Sequence, residues 1–340
     1  MPPIPQTPPP GRPQVARCAA VEVSGLSRPF GADSISLRLY PHNDLPAPAV
    51  VAELCAQAML GLGGGFDGVM TSEHHGGFPG YLPNPLQMAG FILDDSPSGW
   101  AAACPLLLPL RPTAMVAEEV AWLAARHPGR VGLGVAAGAL PLDFEAMGLS
   151  AASAVEVFKA ELPRIIDMLS GRNLGQLAAD PALAHCGLDP VPVLSAAASS
   201  AAARRAARYG AGILMEGMSS PDRLAGICAA YDEAGGTGTK MLIRRVWVGT
   251  PDASLIGRQR EVYDSYAAGS GSFGTDQTIS ADDPVEVAAR LHAVLLESGA
   301  TALNLRVHLP GMPATVVREQ VGVLCADVLP ALRVLLSPAG

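Results

Sequence analysis

Between residues 34 and 309 two kinds of apolar pattern alternate along the chain. Short runs, several of them apolar on consecutive residues, are each followed by a longer stretch whose apolar residues recur at helical spacing. The short runs are SISLRLY (34–40), FDGVMTS (66–72), WAAACPLLLPL (100–110), RVGLGVAAG (130–138), VPVLSAA (191–197), GILMEGM (212–218), KMLIRRVWVG (240–249) and ALNLRVHL (302–309). Runs of this length and composition predict strands buried on both faces, as in a parallel sheet. Between them, PAPAVVAELCAQAMLGLG has a helical apolar face and ends in glycine. NPLQMAGFIL opens with an Asn cap and a proline at the first helical position, a common way to start a helix. RPTAMVAEEVAWLAARHPGR stops before His-Pro-Gly. Five further stretches of the same kind complete the set.

Eight strands alternating with eight helices predict an α/β fold, a (β/α)8 TIM barrel. The rival is a doubly wound open sheet, which would ordinarily carry a Gly-rich phosphate loop after its first strand. The turn in that place reads PHNDLPAP, without glycine. Two stretches depart from the alternation. Residues 171–189 form a connector. Residues 250–282 form a long, polar, Gly/Ser-rich insertion before the last helix–strand unit, and insertions of that length are usually functional. The expected organisation is a Pro-rich tail and lead-in over 1–33 and a barrel over 34–336, with 250–282 as a lid over its mouth.

Composition narrows the class. With 49% apolar and 16% charged residues the chain can build a large core, the reverse of a disordered chain. A net charge of −8 gives no general attraction to nucleic acid or an acidic membrane. No apolar stretch reaches the ~18 residues of a membrane span, and the opening MPPIPQTPPPGRPQVAR is not of signal-peptide type. Cys18, Cys55, Cys104, Cys186, Cys228 and Cys325 are far apart, with no CxxC pair. They read as reduced thiols of a cytoplasmic protein.

Ligands of parallel barrels bind at the C-terminal ends of the strands. Three stretches there carry candidate chemistry. TSEHHGGFPGYLPNP (71–85) follows the second strand and holds Glu73, His74 and His75. Adjacent strand residues point to opposite faces, so the two histidines do not readily ligate one metal ion, and no His-x-His pair occurs. In LSAAASSAAARRAARYG (194–210) a helix starts at Ser199–Ser200, a place for a phosphate or for simple serine capping. In AACPLLLPL (102–110), Pro105 interrupts a buried strand. Either Cys104–Pro105 is cis, or Pro105 begins the strand in trans. Arg306 and His308 face the pocket or a solvated rim. Arg244 and Arg245 split between the two faces of the seventh strand, and Trp100, Trp122 and Trp247 are packing residues.

Taken together, these stretches resemble the bacterial luciferase-like flavin-dependent monooxygenase family over about residues 34–335. SEHHGGFPGYLPNPLQMA is similar to the family's Glu-His-His segment and later Asn-Pro. LLLPLRPTAMVAEEVAWLAARHPGRVGLGVAAG resembles its third strand, helix and fourth strand. LDFEAMG, RAARYG, VLPALR and YDSY (263–266) follow as in relatives.

The resemblance implies the closed barrel and an enzyme that uses reduced FMN and O2 to oxygenate a small organic substrate through a flavin peroxide. It implies His74 near the flavin's reacting edge, managing protons there with Glu73 or Tyr81 orienting it. A cis peptide supporting the ring matches Cys104–Pro105. A phosphate site matches Ser199 and Ser200. The family's phosphate-pairing arginine at the end of the fourth strand is replaced here by Ala137, followed by Gly138, so another arginine reaches in, the flavin binds weakly, or the cofactor is a different one. Tyr81, Tyr263, Tyr266 and Arg306 would line the substrate side or lid. A separate flavin reductase and a homodimer are the implied partners. The alternatives are a deazaflavin-dependent oxidoreductase on the same fold and a noncatalytic flavin-binding barrel.

Overall fold

In the computed structural model, residues 27–267 and 276–337 are described, residues 262–267 by their backbone. Most of the Pro-rich tail, and the side chains of Tyr263 and Tyr266, therefore lie outside the described residues.

The strands are β1 (Ile35–Arg38), β2 (Gly68–Thr71), β3 (Trp100–Leu107), β4 (Val131–Ala136), β5 (Val193–Ala196), β6 (Gly212–Met215), β7 (Lys240–Val248), β8 (Ile279–Ala281) and β9 (Ala302–Arg306). The α-helices are α1 (Ala47–Gly63), α2 (Pro85–Asp95), α3 (Thr113–Arg126), α4 (Pro141–Ala146), α5 (Ala154–Met168), α6 (Pro181–His185), α7 (Ser200–Tyr209), α8 (Pro221–Glu233), α9 (Ala253–Ala267), α10 (Pro284–Ser298), α11 (Ala314–Val323) and α12 (Leu329–Leu336). All eight strands predicted from the sequence are present. They pair in parallel in the order β6-β5-β4-β3-β2-β1-β9-β7, and β6 pairs with β7, so the sheet closes as a TIM barrel.

The ninth strand, β8, belongs to the 250–282 insertion, which also contains α9. It pairs with Val246–Val248, beyond the part of β7 that pairs with β9. A second departure is α4, a short helix directly after β4. Trp100 and Trp247 are buried, but Trp122 is 54% exposed. It lies on the outer face of α3, with its indole N–H donating to Asp180 at 3.0 Å, and is not a packing residue.

Alternation along the strands sorts side chains by face. Outward residues such as Ile35, Leu37, Val69, Leu133 and Leu303 join the helices in one large core. Inward residues form a smaller apolar layer of Phe30, Met70, Trp100, Ala102, Cys104, Leu194, Leu214, Met241 and Ala302. Phe30, from the lead-in, meets Trp100 edge-on at 5.2 Å. Above this layer the inward positions turn polar, with Ser36 and Arg38 on β1 and Asn304 and Arg306 on β9. Gly134 opposes Cys104, and a Cβ there would overlap its sulfur. Burial pushes the Cys104 thiol up to about 12, so it is an inert neutral group.

The seam between β1 and β9 is closed above by three buried rings. Tyr40 stacks on His308 at 5.6 Å, and His42 meets His308 edge-on at 4.7 Å. Burial, then repulsion from His42, Arg306 and Arg245, pushes the His308 pKa down to about 3. The folded value lies below the ordinary ~6.5, so between these limits the unfolded chain binds the extra proton. The stability this neutral ring confers is complete above about pH 6.5 and is lost as pH falls toward 3, by about 1.4 kcal/mol per unit. Urea unfolding should therefore lose about 2 kcal/mol between pH 6.5 and 5. His308→Asn should at least halve that slope; a variant as acid-sensitive as the parent would place the titration elsewhere.

Candidate functional site

At the C-terminal end of the barrel lies a cavity of about 460 Å³. Its wall brings together Glu73, His74, Tyr81, Pro105, Ala137, Gly138, Ser199 and Arg306, eight of the residues singled out from the sequence. Cys104 and Ser200 are not on it. The Cys104 side chain points down into the barrel interior, so only its backbone is near the mouth. The Ser200 hydroxyl is directed to the carbonyl of Gly226 at 3.5 Å, so what it offers is a first-turn N–H.

The Cys104–Pro105 bond is cis, and the β3–β4 register shifts between Ala103 and Leu106. The bent segment is tied to the loop after β2. The Glu73 N–H donates to the Pro105 carbonyl at 3.0 Å. The Glu73 carboxylate, 1% exposed, accepts from the Leu107 N–H and from Arg111 at 2.7 Å, and lies 3.2 Å from the His75 ring nitrogen. Glu73 is thus fully engaged in fixing the backbone and does not orient His74.

That task falls to a residue the sequence reading passed over. His74 Nδ1 lies 2.7 Å from Asp143 Oδ2, and Asp143 Oδ1 accepts the His75 N–H at 2.7 Å. Asp143 is buried in the first turn of α4. A carboxylate accepting at Nδ1 fixes the ring and, in the neutral imidazole, puts the proton on Nδ1 and the lone pair on Nε2. The two adjacent histidines thus diverge, His74 toward Asp143 and His75 toward Glu73.

Loop 72–82 folds back on itself. Leu82 donates to the Ser72 carbonyl, and His74 donates to the Leu82 carbonyl. Gly76, Gly77 and Gly80 have φ of 66°, 75° and 83°, the left-handed region where a side chain is strained. The reversal packs Phe78 and Tyr81 onto His74, with ring centres 4.9 and 4.4 Å away, and Tyr81 meets Tyr40 at 5.3 Å. Tyr81 therefore contacts His74 by its ring face and edge.

Across the cavity, Ser199 caps α7, its hydroxyl accepting the Ala202 N–H at 3.3 Å. Ala202 and Arg205 line the same wall. The spacing of 199, 202 and 205 puts them on one helix face, a signal present in the sequence but not used. The Arg205 guanidinium lies 5.7 Å over the Phe158 ring, and its buried Nε has no partner among the described residues. Next to it the wall is small, formed by Ala137 and Gly138. A Cβ on Gly138, which has φ of 84°, would press into Phe144. Two of these features fit a phosphorylated ligand: a helix N-terminus with a hydroxyl, and a guanidinium nitrogen without a partner among the described residues.

Residues 38–240 match the family described as luciferase-like monooxygenase. Uncharacterized proteins of Mycobacterium tuberculosis and Mycobacterium bovis are 32% identical over 145 residues, 39% of this chain and 48% of theirs; the chain spans about half the length of these curated relatives. Among solved structures, monooxygenase RslO1 from Streptomyces bottropensis superposes with a TM-score of 0.71 at 18% identity, covering 87% of this chain and 99% of that one. The oxygenating constituent of 3,6-diketocamphane monooxygenase from Pseudomonas putida, in complex with FMN, gives 0.70 at 17% identity, covering 89% and 99%. An F420-dependent secondary alcohol dehydrogenase in complex with an F420–acetone adduct gives 0.63 at 18% identity, covering 89% and 100%. These likenesses share the barrel, and the match over more than half of the sequence decides the family: the chain belongs to the luciferase-like monooxygenases.

Proposed function

We propose that the protein is a monooxygenase that binds reduced FMN at the barrel mouth and oxygenates a small organic substrate. The observation that carries this reading is that one cavity joins Pro105, the Asp143-oriented His74 and the N-terminus of α7 with Arg205. Reduced FMN would supply the electrons with which O2 is split between substrate and water. The chain's own residues do the rest. Ser199, the first-turn N–H groups of α7 and Arg205 hold the phosphate, Arg205 taking the part that Ala137 cannot. Pro105, Ala137 and Gly138 leave room for the ring. His74 Nε2 accepts or returns a proton at the ring edge, and Asp143 sets its tautomer. Phe78 and Tyr81 shield that edge from water. Glu73 acts as a positioning residue through the bent segment of β3.

The described parts of the 250–282 insertion, 250–267 and 276–282, would serve as a cover for this mouth. Its helix α9 approaches the rim where Gln259 bonds Arg245, and Leu255 is buried in the core. A homodimer is supported by the apolar residues that α2 and α3 leave uncovered, Phe91, Met115 and Trp122. A separate reductase would deliver the flavin already reduced. The second reading, hydride transfer with a deazaflavin, draws on the likeness to the F420-dependent dehydrogenase. Anaerobic titration with each reduced cofactor, followed by oxygen-uptake measurements, separates the two. Tight binding of the deazaflavin alone, without oxygen consumption, would overturn the FMN reading.

Two substitutions test the assigned roles. Arg205→Ala removes a charge-assisted bond of ~1.5–3 kcal/mol, about a 10- to 100-fold loss of FMN affinity. Riboflavin, which lacks the phosphate, should bind parent and variant alike; equal losses for both ligands would mean that Arg205 only supports the fold. With a substrate found by screening for oxygen-dependent products, His74→Ala should lower kcat about 100-fold or more with FMN affinity little changed. Unaltered turnover would remove His74 from the chemistry.

A further inference from the structure

The cavity has a second cationic end that the flavin reading does not use. Arg38 lines the wall at the top of β1 and is 3% exposed. Its Nε donates to Asn304 Oδ1 at 2.6 Å and its Nη1 donates to the Ser72 hydroxyl. Both partners are neutral. Its Nη2 is buried, and among the described residues it has no partner and no carboxylate pairs with the guanidinium. A buried guanidinium without a counter-charge is costly to maintain.

The rotamer is nevertheless locked. Asn304 donates to the Ser36 hydroxyl at 2.9 Å, and Ser36 donates to the Leu303 carbonyl at 3.1 Å, so a chain of bonds across β1 and β9 presents Arg38 to the cavity. Arg306, two residues beyond Asn304 on β9, lines the same wall and donates to the Tyr40 hydroxyl at 3.3 Å. Burial raises the Tyr40 pKa, but Arg306 and Arg38 beside it prevail and hold it below its ordinary value.

The nearby carboxylates are committed elsewhere. Glu73 is held by Arg111 and Leu107, Asp143 by His74 and His75, and Glu216 by the Met218 N–H and the Ser219 hydroxyl. The phosphate place on α7 follows β5, four strands around the barrel from β1, so one anion does not serve both ends. Tyr40 touches Tyr81, which touches His74; the arginine end is therefore one pair of rings from the histidine.

We propose that Arg38, supported by Arg306, receives a carboxylate on the substrate, so that the enzyme acts on organic acids whose apolar body lies against the His74–Phe78–Tyr81 wall. This rests on the monooxygenase reading for the reaction but not for the binding. The same guanidinium chemistry would also suit the anionic edge of a reduced flavin, and the test separates the two sources.

The probes are hexanoate and benzoate against their neutral amides, hexanamide and benzamide, titrated calorimetrically into the full-length protein with and without reduced FMN. The acids should bind at least tenfold more tightly than the amides. Arg38→Gln should abolish that preference and Arg38→Lys should keep part of it, with FMN affinity within about twofold of the parent in both. Equal binding of acids and amides by the parent protein overturns the proposal, whatever the variants do. A variant that loses FMN affinity tenfold but keeps the acid preference assigns Arg38 to the flavin and overturns it as well. An acid preference in a protein that binds no flavin would sustain the subsite and defeat the monooxygenase reading instead.

Discussion

The buried carboxylate of Glu73 is the constraint on which the mouth of the barrel depends. At Cys104–Pro105 strand β3 leaves its ladder, and the proline brings no N–H. The Leu107 N–H just beyond it would be an orphaned donor in a dry interior, a costly defect. Glu73 accepts that N–H with its side chain and reaches the Pro105 carbonyl with its own N–H. Its charge is met by Arg111, which supplies the partner a buried anion requires. One residue thereby closes the gap between β2 and β3, and the bend stays where a ligand meets it.

The same tie explains why two histidines stand side by side. His75 is drawn to Glu73, and its backbone N–H to Asp143. His74 is then turned the other way, toward the cavity, and the other oxygen of Asp143 fixes its ring. The glycines of loop 72–82 let the chain return to bond itself and stack Phe78 and Tyr81 on that ring. A histidine confined in this way needs no further ordering when a ligand arrives, which would suit the proton transfer proposed for it.

The barrel was legible in the sequence because its signals are local. Each strand is a short, largely apolar run, each helix has its own period, and caps such as Asn84 and Ser199 are written at the boundaries. The bend at Pro105 was legible for the same reason: a proline inside a buried strand must disturb the ladder. What was not legible depends on pairing across the chain. Asp143 meets His74 over 69 residues, and Arg111 meets Glu73 over 38; no spacing rule connects them. Arg205 stood within reach of a spacing argument, since it shares a helix face with Ser199, but its six-residue separation carries meaning only once the cavity is known. Trp122 was misplaced because an aromatic residue on an amphipathic helix gives no sign of whether another subunit or solvent lies beyond it.

Charge is distributed unevenly around the cavity, and this orders the parts of the site. The protein carries a net charge of −8, yet the wall of this one cavity presents Arg38, Arg205 and Arg306. Its two acidic neighbours of the histidines, Glu73 and Asp143, are spent on internal bonds. An otherwise acidic surface would repel anions in general, whereas inside the mouth the lower dielectric strengthens each guanidinium contact. Leu107, Ala137 and Gly138 add small or apolar surface to the same wall. The wall thus combines apolar surface with guanidinium groups from β1, β9 and α7.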